Sequence, residues 1–563
     1  MKEGFRQSMA WLHTWSGLLV GWVLFLVFAA GTAAYFRDEI TLWMKPELHA
    51  LPHAPVAQAQ AAERAVQFLQ QRGADSPRWF ISMPTGREPL VGVLWTKPAP
   101  PAGAAPAGER PRRARFENAS LDPATGDTAH APRATRGGDF FYRLHFDLHY
   151  MPAIWARWIV GFSAMFMLVA IVSGIVTHKR IFKDFFTFRG KKGQRSWLDA
   201  HNVTAVLALP YHLMITYTGL ITLMFLYMPW GPQAAYKDRG GEQAFFAEVF
   251  PGGGRDRFQA AGEKAPLAPI APMLAQASAH WGGAAAGRIT VHHPNDANAV
   301  VAITRAEGPR LSYDQPSMQF NGATGALIAT YGDVPQAAAE TRGVLYGLHV
   351  GRFANPLLRA LFFLSGLAGC VMVATGLLLW AVKERQKYAK VLRKGGRIGF
   401  GLRLVDGLNL GAVAGLPAAM AAFFWANRLL PVGLAERAAA EIRWFFIVWG
   451  ALAVLALLRP TLRMWQAQLG LGALLFMLLP VLNAFTTTHS HLGATLRHGP
   501  GAVAGLDLVA IALGLGLASA VWFVERKRRK TLALKHAAKA PAPRTPGEPE
   551  ALSQGLATSG HQP

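Results

Sequence analysis

Long runs of apolar residues alternate along the chain with polar stretches. A membrane-spanning helix needs roughly 20 mostly apolar residues to cross about 30 Å of hydrocarbon, and eight runs reach or approach that length. The first run is longer than the apolar region of a signal peptide, so we expect it to be retained. The pattern predicts a mostly α-helical, polytopic membrane bundle of about eight spans. These lie at about 11–36, 153–177, 203–228, 357–382, 407–427, 442–458, 464–485 and 503–524.

Part of this pattern occurs twice. Residues 9–36 read MAWLHTWSGLLVGWVLFLVFAAGTAAYF, and residues 197–228 read WLDAHNVTAVLALPYHLMITYTGLITLMFLYM. Eighteen residues separate His13 from Gly31 in the first copy, and eighteen separate His201 from Gly219 in the second. The duplication predicts two similar helical units in one bundle.

The segments that follow each copy also match. LHYMPAIWARWIVGFSAMFMLVAIVSG resembles LHVGRFANPLLRALFFLSGLAGCVMVATG. In this alignment His149 lies over His349, and Gly174 lies over Gly376 after a gap of two residues. Each copy is therefore expected to carry one histidine near each end of a helical hairpin.

Two polar inserts, at about 37–142 and 229–345, separate the paired spans. Each has a short helical pattern followed by runs rich in β-branched and aromatic residues and bounded by Gly and Pro, which are typical of strands. The turns LDPATG and FNGATG occupy matching positions. We predict two small α+β inserts, the first interrupted by the Pro/Ala/Gly-rich loop PAPPAGAAPAGERPRRAR.

The predicted organisation has seven segments. Residues beyond about 405 have no counterpart in the repeat, and the Pro/Ala-rich tail is expected to be disordered. The segments are the first span (1–36), insert 1 (37–142), spans 2 and 3 with a basic loop (143–228), insert 2 (229–345), span 4 (346–390), a four-span extension (391–527) and the tail (528–563).

Charge orients the chain in the membrane. The 57 Lys and Arg against 33 Asp and Glu give a formal net charge of +24. The basic residues cluster at 179–195, 383–403, 459–463 and 526–530, all on one side if successive spans alternate. Because cytoplasmic loops carry excess Lys and Arg, we predict cytoplasmic termini and periplasmic inserts. The partner of this charge is the lipid bilayer, and no nucleic-acid partner is expected.

Histidines near the ends of the spans are the candidate chemistry. A histidine in or beside a span is costly to leave without a partner, so it marks a functional site. The repeat supplies pairs, with His13 and His201 at the cytoplasmic face and His149 and His349 at the periplasmic face. Two imidazoles from facing helices can hold haem iron, whereas zinc prefers three or four donors at one level.

The sequence leaves the histidine pairing open. Irons at the two faces would lie about a full bilayer, ~30 Å, apart. His212 lies between those levels, on the same helix face as His201, and is a candidate ligand or relay. His145 and His178 are further contenders. Cys370 is the only cysteine, so a disulfide or an iron–sulfur cluster within one chain is excluded.

The chain resembles the PepSY-associated transmembrane family. The resemblance rests on WLHTWSGLLVGW, RLHFDLHY, SGIVTHKRIFKDFFTFR, WLDAHNVTAVLALPYHLMITYTG and LYGLHVG, and it covers roughly residues 1–390. The inserts resemble PepSY domains. The family includes bacterial inner-membrane ferric-siderophore reductases with two b-type haems. The resemblance implies haem ligands among His13, His145, His149, His178, His201, His212 and His349.

The implied activity is reduction of a periplasmic ferric siderophore or other ferric chelate, with electrons from quinol or a cytoplasmic donor. No Walker loop or dinucleotide-binding GxGxxG unit is present, and catalytic residues are not assigned. The alternative is a haem-free, membrane-anchored PepSY module that binds or regulates periplasmic peptides or proteases. A transporter is disfavoured, because the first four spans lack acidic residues.

Overall fold

The computed structural model describes residues 3–49, 56–85, 87–96, 116–128, 132–178, 194–250, 258–334 and 336–537. Its helices are α1 (Glu3–Ala34), α2 (Arg37–Trp43), α3 (Gln58–Arg72), α4 (Gly138–Asp147), α5 (Ala153–Thr177), α6 (Gln194–Leu207), α7 (Leu209–Thr222), α8 (Met224–Tyr227), α9 (Trp230–Ala235), α10 (Gly241–Val249), α11 (Ile270–His280), α12 (Ala337–Val350), α13 (Pro356–Lys387), α14 (Ala389–Arg393), α15 (Phe400–Leu410), α16 (Leu416–Leu429), α17 (Arg437–Leu458), α18 (Leu462–Met477), α19 (Leu479–Thr486), α20 (Leu492–His498) and α21 (Gly501–Ala537).

A short 3-10 helix (Pro46–Leu48) follows α2, and a π-helical turn (Gly411–Gly415) joins α15 to α16. The strands are β1 (Arg78–Ser82), β2 (Val91–Thr96), β3 (Phe116–Leu121), β4 (Ala286–His292), β5 (Val300–Arg305), β6 (Ser317–Asn321) and β7 (Leu327–Tyr331).

The predicted polytopic bundle is confirmed. Six helices in the described ranges are long and apolar enough to cross a membrane, and the number is eight if each of two bent helix pairs forms one span. The pairs are α6 with α7, bent by 68°, and α18 with α19, bent by 41°. Pro210 and Pro480 stand at the starts of α7 and α19. A proline lacks the backbone N–H that would continue the preceding helix, which accounts for both bends.

The two polar inserts form one antiparallel sheet of seven strands. The strand order is β3-β2-β1-β4-β5-β6-β7, and β1 pairs directly with β4, with Trp79 opposite Val291. Helices α3 and α11 cover one face, where Trp79, Ile81, Ile289 and Val291 are fully buried. The α+β content matches the prediction, but the inserts are joined. Pairing β1 with β4 removes two exposed strand edges.

The repeated turns of the inserts have the same structure. The Asp122 carboxylate accepts hydrogen bonds from the backbone N–H groups of the second and third residues after it, and the Asn321 side-chain oxygen does the same. Gly126 and Gly325 follow at φ of 80° and 78°, a left-handed conformation that favours glycine. The duplication therefore extends from the helices into the sheet domain.

The two copies of the helical repeat pack against each other. Helix α1 packs against α4 and α5 in the first copy, and in the second copy α12 packs against α7 and α13 against α6. Contact between α1 and α13 joins the copies. The C-terminal end of α1 leads into the sheet domain. We call the end of the bundle next to the sheet the sheet side, and the end that carries His13 the opposite side.

The four C-terminal spans dock through buried polar groups. Trp43 Nε1 donates to Asp507 Oδ1 at 2.8 Å, and the Arg428 guanidinium lies 3.7 Å from the Trp43 ring centroid. Arg428 Nη2 donates to the Trp43 carbonyl, and its Nε donates to Asn483 Oδ1. Arg437 and Glu441 form a fully buried ion pair nearby. These contacts connect the chain after α1 to α16, α17, α19 and α21.

Three sequence predictions meet the limits of the described residues. Most of the basic cluster at 179–195 and of the Pro/Ala/Gly-rich loop lies outside them, as does the tail from residue 538. The tail was predicted to be disordered from residue 528. In the structure its first residues are helical instead, because α21 continues to Ala537.

Candidate functional site

Four histidines of the repeat are each held by a neighbouring helix through Nδ1. His13 Nδ1 lies 2.8 Å from the Ala170 carbonyl, His145 Nδ1 lies 2.7 Å from the Val27 carbonyl, and His201 Nδ1 lies 2.9 Å from the Met372 carbonyl. A carbonyl oxygen only accepts, so Nδ1 carries the proton in each ring. The lone pair is therefore on Nε2, the nitrogen left free to bind a metal.

His349 is held in a related way by Thr218. Its Nδ1 lies 3.1 Å from Thr218 Oγ1, and that hydroxyl donates its own proton to the Met214 carbonyl at 2.7 Å. The hydroxyl oxygen is thus the acceptor, and His349 also carries its proton on Nδ1. All four rings are fixed in the same tautomer.

A glycine makes room for each of these rings. An added methyl group at Gly31 would lie 2.7 Å from His145, and one at Gly219 would lie 3.0 Å from His349. At Gly174 it would lie 3.1 Å from His13, and at Gly376 it would lie 3.2 Å from His201. These are the four glycines that the repeat alignment places in matching positions.

Three of the glycines stand four residues after the carbonyl that accepts from the histidine. The pairs are Val27 with Gly31, Ala170 with Gly174, and Met372 with Gly376. In an α-helix that carbonyl already bonds the N–H of the residue four positions later. A glycine there leaves the oxygen open to a second donor, which explains the shared spacing.

The four histidines form two facing pairs. Each pair contains one histidine from the first copy of the repeat and one from the second. The ring centroids of His13 and His201 are 6.1 Å apart, with an interplanar angle of 70°. Those of His145 and His349 are 5.9 Å apart, with an angle of 38°. A metal ion bound by two imidazole nitrogens at about 2.0–2.1 Å each would hold two ring centroids about 6 Å apart. Both pairs match that separation.

The partner of His349 is His145, and this corrects the sequence alignment. His149 lies just beyond α4 at φ 58°, where its ring stacks on Phe446 at 5.5 Å. The signal was present in the sequence, since Tyr142 and Tyr346 each stand three residues before the paired histidine, in YRLH and YGLH. Aligning LHY with LHV instead displaced the register by four residues.

A cavity of about 410 Å³ opens beside the sheet-side pair. His145, His349 and their glycines Gly31 and Gly219 line it, together with mostly apolar side chains. Arg157, whose Nε donates to Asp147 at 2.8 Å, is the cationic residue of its wall. An apolar cavity of a few hundred Å³ with convergent polar groups is typical of a cofactor site. The two imidazole donors and the space beside them suit an iron porphyrin.

The donor set differs from that of a bare metal ion. In the described part of the chain, no group of three or more His, Cys, Asp or Glu side chains is placed to hold one. Zinc and similar ions in structural sites take four protein ligands, so paired imidazoles suit a macrocycle that supplies the remaining donors itself.

Comparison with known proteins identifies the family of this chain. The sequence matches the PepSY-associated TM region over residues 10–383. The chain belongs to this family. An uncharacterized protein from Pseudomonas aeruginosa is 24% identical over 394 residues, which are 66% of this chain and 91% of that protein. Both histidine pairs lie inside the family region, and the four C-terminal spans lie outside it.

His212 lies inside the family region between the two pairs. It is buried, its Nε2 lies 3.3 Å from the Ser365 carbonyl, and its ring meets Phe28 edge-on at 5.9 Å. Gly369 follows Ser365 by four residues, and a methyl group there would lie 3.2 Å from Nε2. In the paired histidines Nδ1 is near a carbonyl and Nε2 is free, whereas in His212 it is Nε2 that lies near a carbonyl, that of Ser365. His212 is therefore placed as a residue between the pairs rather than as a member of either.

His178, the remaining candidate in this family region, follows α5 directly. Its backbone N–H donates to the Gly174 carbonyl at 3.1 Å, so it lies at the level of the His13–His201 pair. The two pairs are closer than a full bilayer. Val27, which accepts from His145, follows His13 by fourteen residues on α1, or about 21 Å at 1.5 Å per residue.

Proposed function

We propose that this protein is a bacterial inner-membrane electron-transfer protein with two b-type haems, which reduces ferric siderophores or related ferric chelates on the sheet side. The observation that carries the proposal is the pair of facing imidazoles at each level, with every Nδ1 proton donated to a neighbouring helix. Bound haem would supply reversible one-electron chemistry, which the side chains of this protein do not provide.

The residues of the protein would hold and insulate the two centres. His13 with His201, and His145 with His349, would hold the two haems. Hydrogen bonds from Nδ1 fix the ring orientation and make Nε2 more basic, which strengthens its bond to iron. The apolar wall would exclude water from the sheet-side centre.

The proposed direction of electron transfer follows from the charges at the opposite side. Arg459 and Arg463 follow α17, and the basic run 526–530 ends the span in α21, on the side away from the sheet. Excess basic residues favour a cytoplasmic location for that side. The sheet domain would then be periplasmic, and electrons from quinol or a cytoplasmic donor would pass from the His13–His201 level to the His145–His349 level.

Haem content tests the proposal directly. The purified protein should contain two haems b per chain by pyridine haemochrome assay and show a split α-band after reduction with dithionite. His145→Ala and His201→Ala should each lose one haem, whereas His149→Ala, the matched control, should keep both. The reduced protein should be reoxidised by a ferric chelate under anaerobic conditions.

Absence of haem from protein purified from haem-replete cells would refute the proposal. It would favour the alternative in which the PepSY domains bind peptides or regulate a protease. Equal haem content in His145→Ala, His149→Ala and the unchanged protein would refute the assignment of ligands while leaving electron transfer open.

A further inference from the structure

A second and larger cavity lies against the sheet domain. Its volume is about 1250 Å³, and its walls come from β1, β4, β5, the segment 306–317 and α12. Arg288 on β4 lines it, whereas the neighbouring Ile289 is buried under the covering helices. Because side chains alternate between the faces of a strand, the cavity lies on the sheet face opposite α3 and α11.

The lining of this cavity has an excess of positive charge, because seven arginines face it against the five carboxylates of Asp38, Glu88, Glu307, Asp314 and Glu340. Arg342 pairs with Asp314, Arg352 pairs with Glu307, and Arg87 approaches Asp38 at 3.5 Å. Arg288, Arg305 and Arg310 also line the cavity. Within the described ranges these three form no ion pair. Guanidinium groups without a carboxylate partner are suited to bind an oxygen-rich anion.

Two tyrosines separate this cavity from the one beside the sheet-side histidines. Tyr313 lines the large cavity and Tyr346 lines the small one, and their ring centroids are 4.6 Å apart. Tyr346 stands one helical turn before His349 on α12. The two cavities therefore meet at this pair of aromatic rings.

Two glycines of α12, the helix that carries His349, hold the segment around Tyr313 against that helix. Tyr313 N donates to the Gly343 carbonyl at 2.9 Å, and Gly347 leaves no room for a methyl group against the Leu311 carbonyl. Glycine within a helix is less favourable than alanine. The close contact explains why these positions are glycine. It also fixes the cavity wall around Tyr313 next to the helix that carries His349.

We infer that this arginine-lined cavity binds the ferric substrate and selects chelates with net negative charge. The inference rests on the proposed function for the redox step, in which the bound ferric iron gains one electron from the sheet-side centre and no atom is transferred. Ferrous iron is held less tightly by hard oxygen donors, so reduction would release it. Binding itself requires only the arginines and the cavity.

A chelate that cannot be reduced separates binding from electron transfer. Gallium(III) tricatecholate, with three negative charges, should bind the purified full-length protein, and salt should weaken its binding because exposed charges are screened. The cationic gallium(III) complex of desferrioxamine B should bind at least tenfold more weakly. Equal binding of the two complexes would overturn the inference.

Charge-neutral variants locate the site. The triple change Arg288→Gln, Arg305→Gln and Arg310→Gln should weaken binding of the tricatecholate at least tenfold and leave the haem spectrum unchanged. Lysine at the same three positions should retain most of the affinity. Arg72→Gln, an exposed arginine on α3 at the other face of the sheet, is the matched control and should bind like the unchanged protein.

The outcomes distinguish the two proposals. Unchanged gallium binding in the glutamine variant, with haem present, overturns the cavity inference and leaves the redox function standing. Gallium binding that depends on the arginines in a protein without haem supports the cavity and refutes the redox function. If the glutamine variant misfolds, the salt dependence and the comparison of the two gallium complexes decide, and equal binding of the two complexes overturns the inference.

Discussion

The imidazole of His145 lies so close to Gly31 that a methyl group at Gly31 would be 2.7 Å from the ring. The Val27 carbonyl, one helical turn earlier on α1, accepts the Nδ1 proton of the same ring. Neighbouring helices thus position the histidine through one hydrogen bond and one missing side chain. The other three members of the two pairs have equivalent contacts.

Gly31→Ala is expected to displace His145 and to abolish the sheet-side haem. Contacts below 3.0 Å are not tolerated by real side chains, so the ring or α1 must move. Haem content should fall from two to one per chain. Gly17→Ala on the same helix is the matched control, since no atom lies within 4 Å of the added methyl group, and alanine favours a helix. Full haem content in Gly31→Ala would contradict this account of the site.

His212→Leu is expected to leave both haems in place. Leu24 occupies the equivalent position of the first copy, eleven residues after His13, so the bundle already accommodates leucine there. The change removes one long hydrogen bond of 3.3 Å and keeps an apolar contact with Phe28. Haem stoichiometry and the reduced α-bands should match those of the unchanged protein. Loss of one haem would instead indicate that His212 helps to hold it.

The sequence predicted which histidines and glycines form this site better than it predicted which residues they contact. The spacing of His13 to Gly31, and of His201 to Gly219, was visible in the repeat. Which helix each histidine faces depends on contacts more than 100 residues apart in the chain, such as His145 with Val27. Short matching segments also admit more than one register, which is why His149 was aligned where His145 belongs.

The joined sheet and the docked C-terminal spans were beyond sequence reasoning for a different reason. β1 and β4 are both patterned as strands, but no local feature specifies which edge pairs with which. Asp507 lies within the eighth apolar run, and Arg428 follows the fifth. A charged residue in a span indicates a buried partner, but it does not name that partner as Trp43 or Asn483.

Arg428→Ala is expected to loosen the C-terminal spans from the family region. Arg428 is 5% exposed, and its removal leaves the Trp43 carbonyl without a donor, takes the Nε donor from Asn483 Oδ1 and removes a positive charge from near the Asp507 carboxylate. Breaking a buried charged network costs about 3–5 kcal/mol. The midpoint of thermal unfolding in detergent should fall by several degrees. Arg497→Ala, an exposed arginine of α20, should leave it unchanged, and equal midpoints would contradict a docking role.

His49 is expected to make the same junction sensitive to acid. Its Nε2–H donates to the Leu42 carbonyl at 2.7 Å, and its Nδ1 lies 2.6 Å from Ser490 Oγ, whose hydroxyl can donate to it. Burial, with a smaller contribution from the nearby Arg428 and Arg133 charges, lowers the pKa of His49 from 6.5 to about 4. The folded protein therefore keeps a neutral ring at a pH where the unfolded chain binds a proton.

The sign of the effect follows from this difference. Above pH 6.5 both states are neutral and His49 has no effect, whereas below pH 6.5 the unfolded state gains a proton first, so stability falls until the folded pKa near 4 is passed. Between pH 8 and pH 5 the loss is about 2 kcal/mol for a shift of this size. His49→Gln should lower stability at pH 8 and flatten its fall toward pH 5, as measured by thermal unfolding at each pH. His280→Gln, on the sheet domain where His280 Nε2 lies 2.9 Å from Asp333 Oδ2, is the control. An equally steep fall in His49→Gln and in the control would assign the acid sensitivity to other groups.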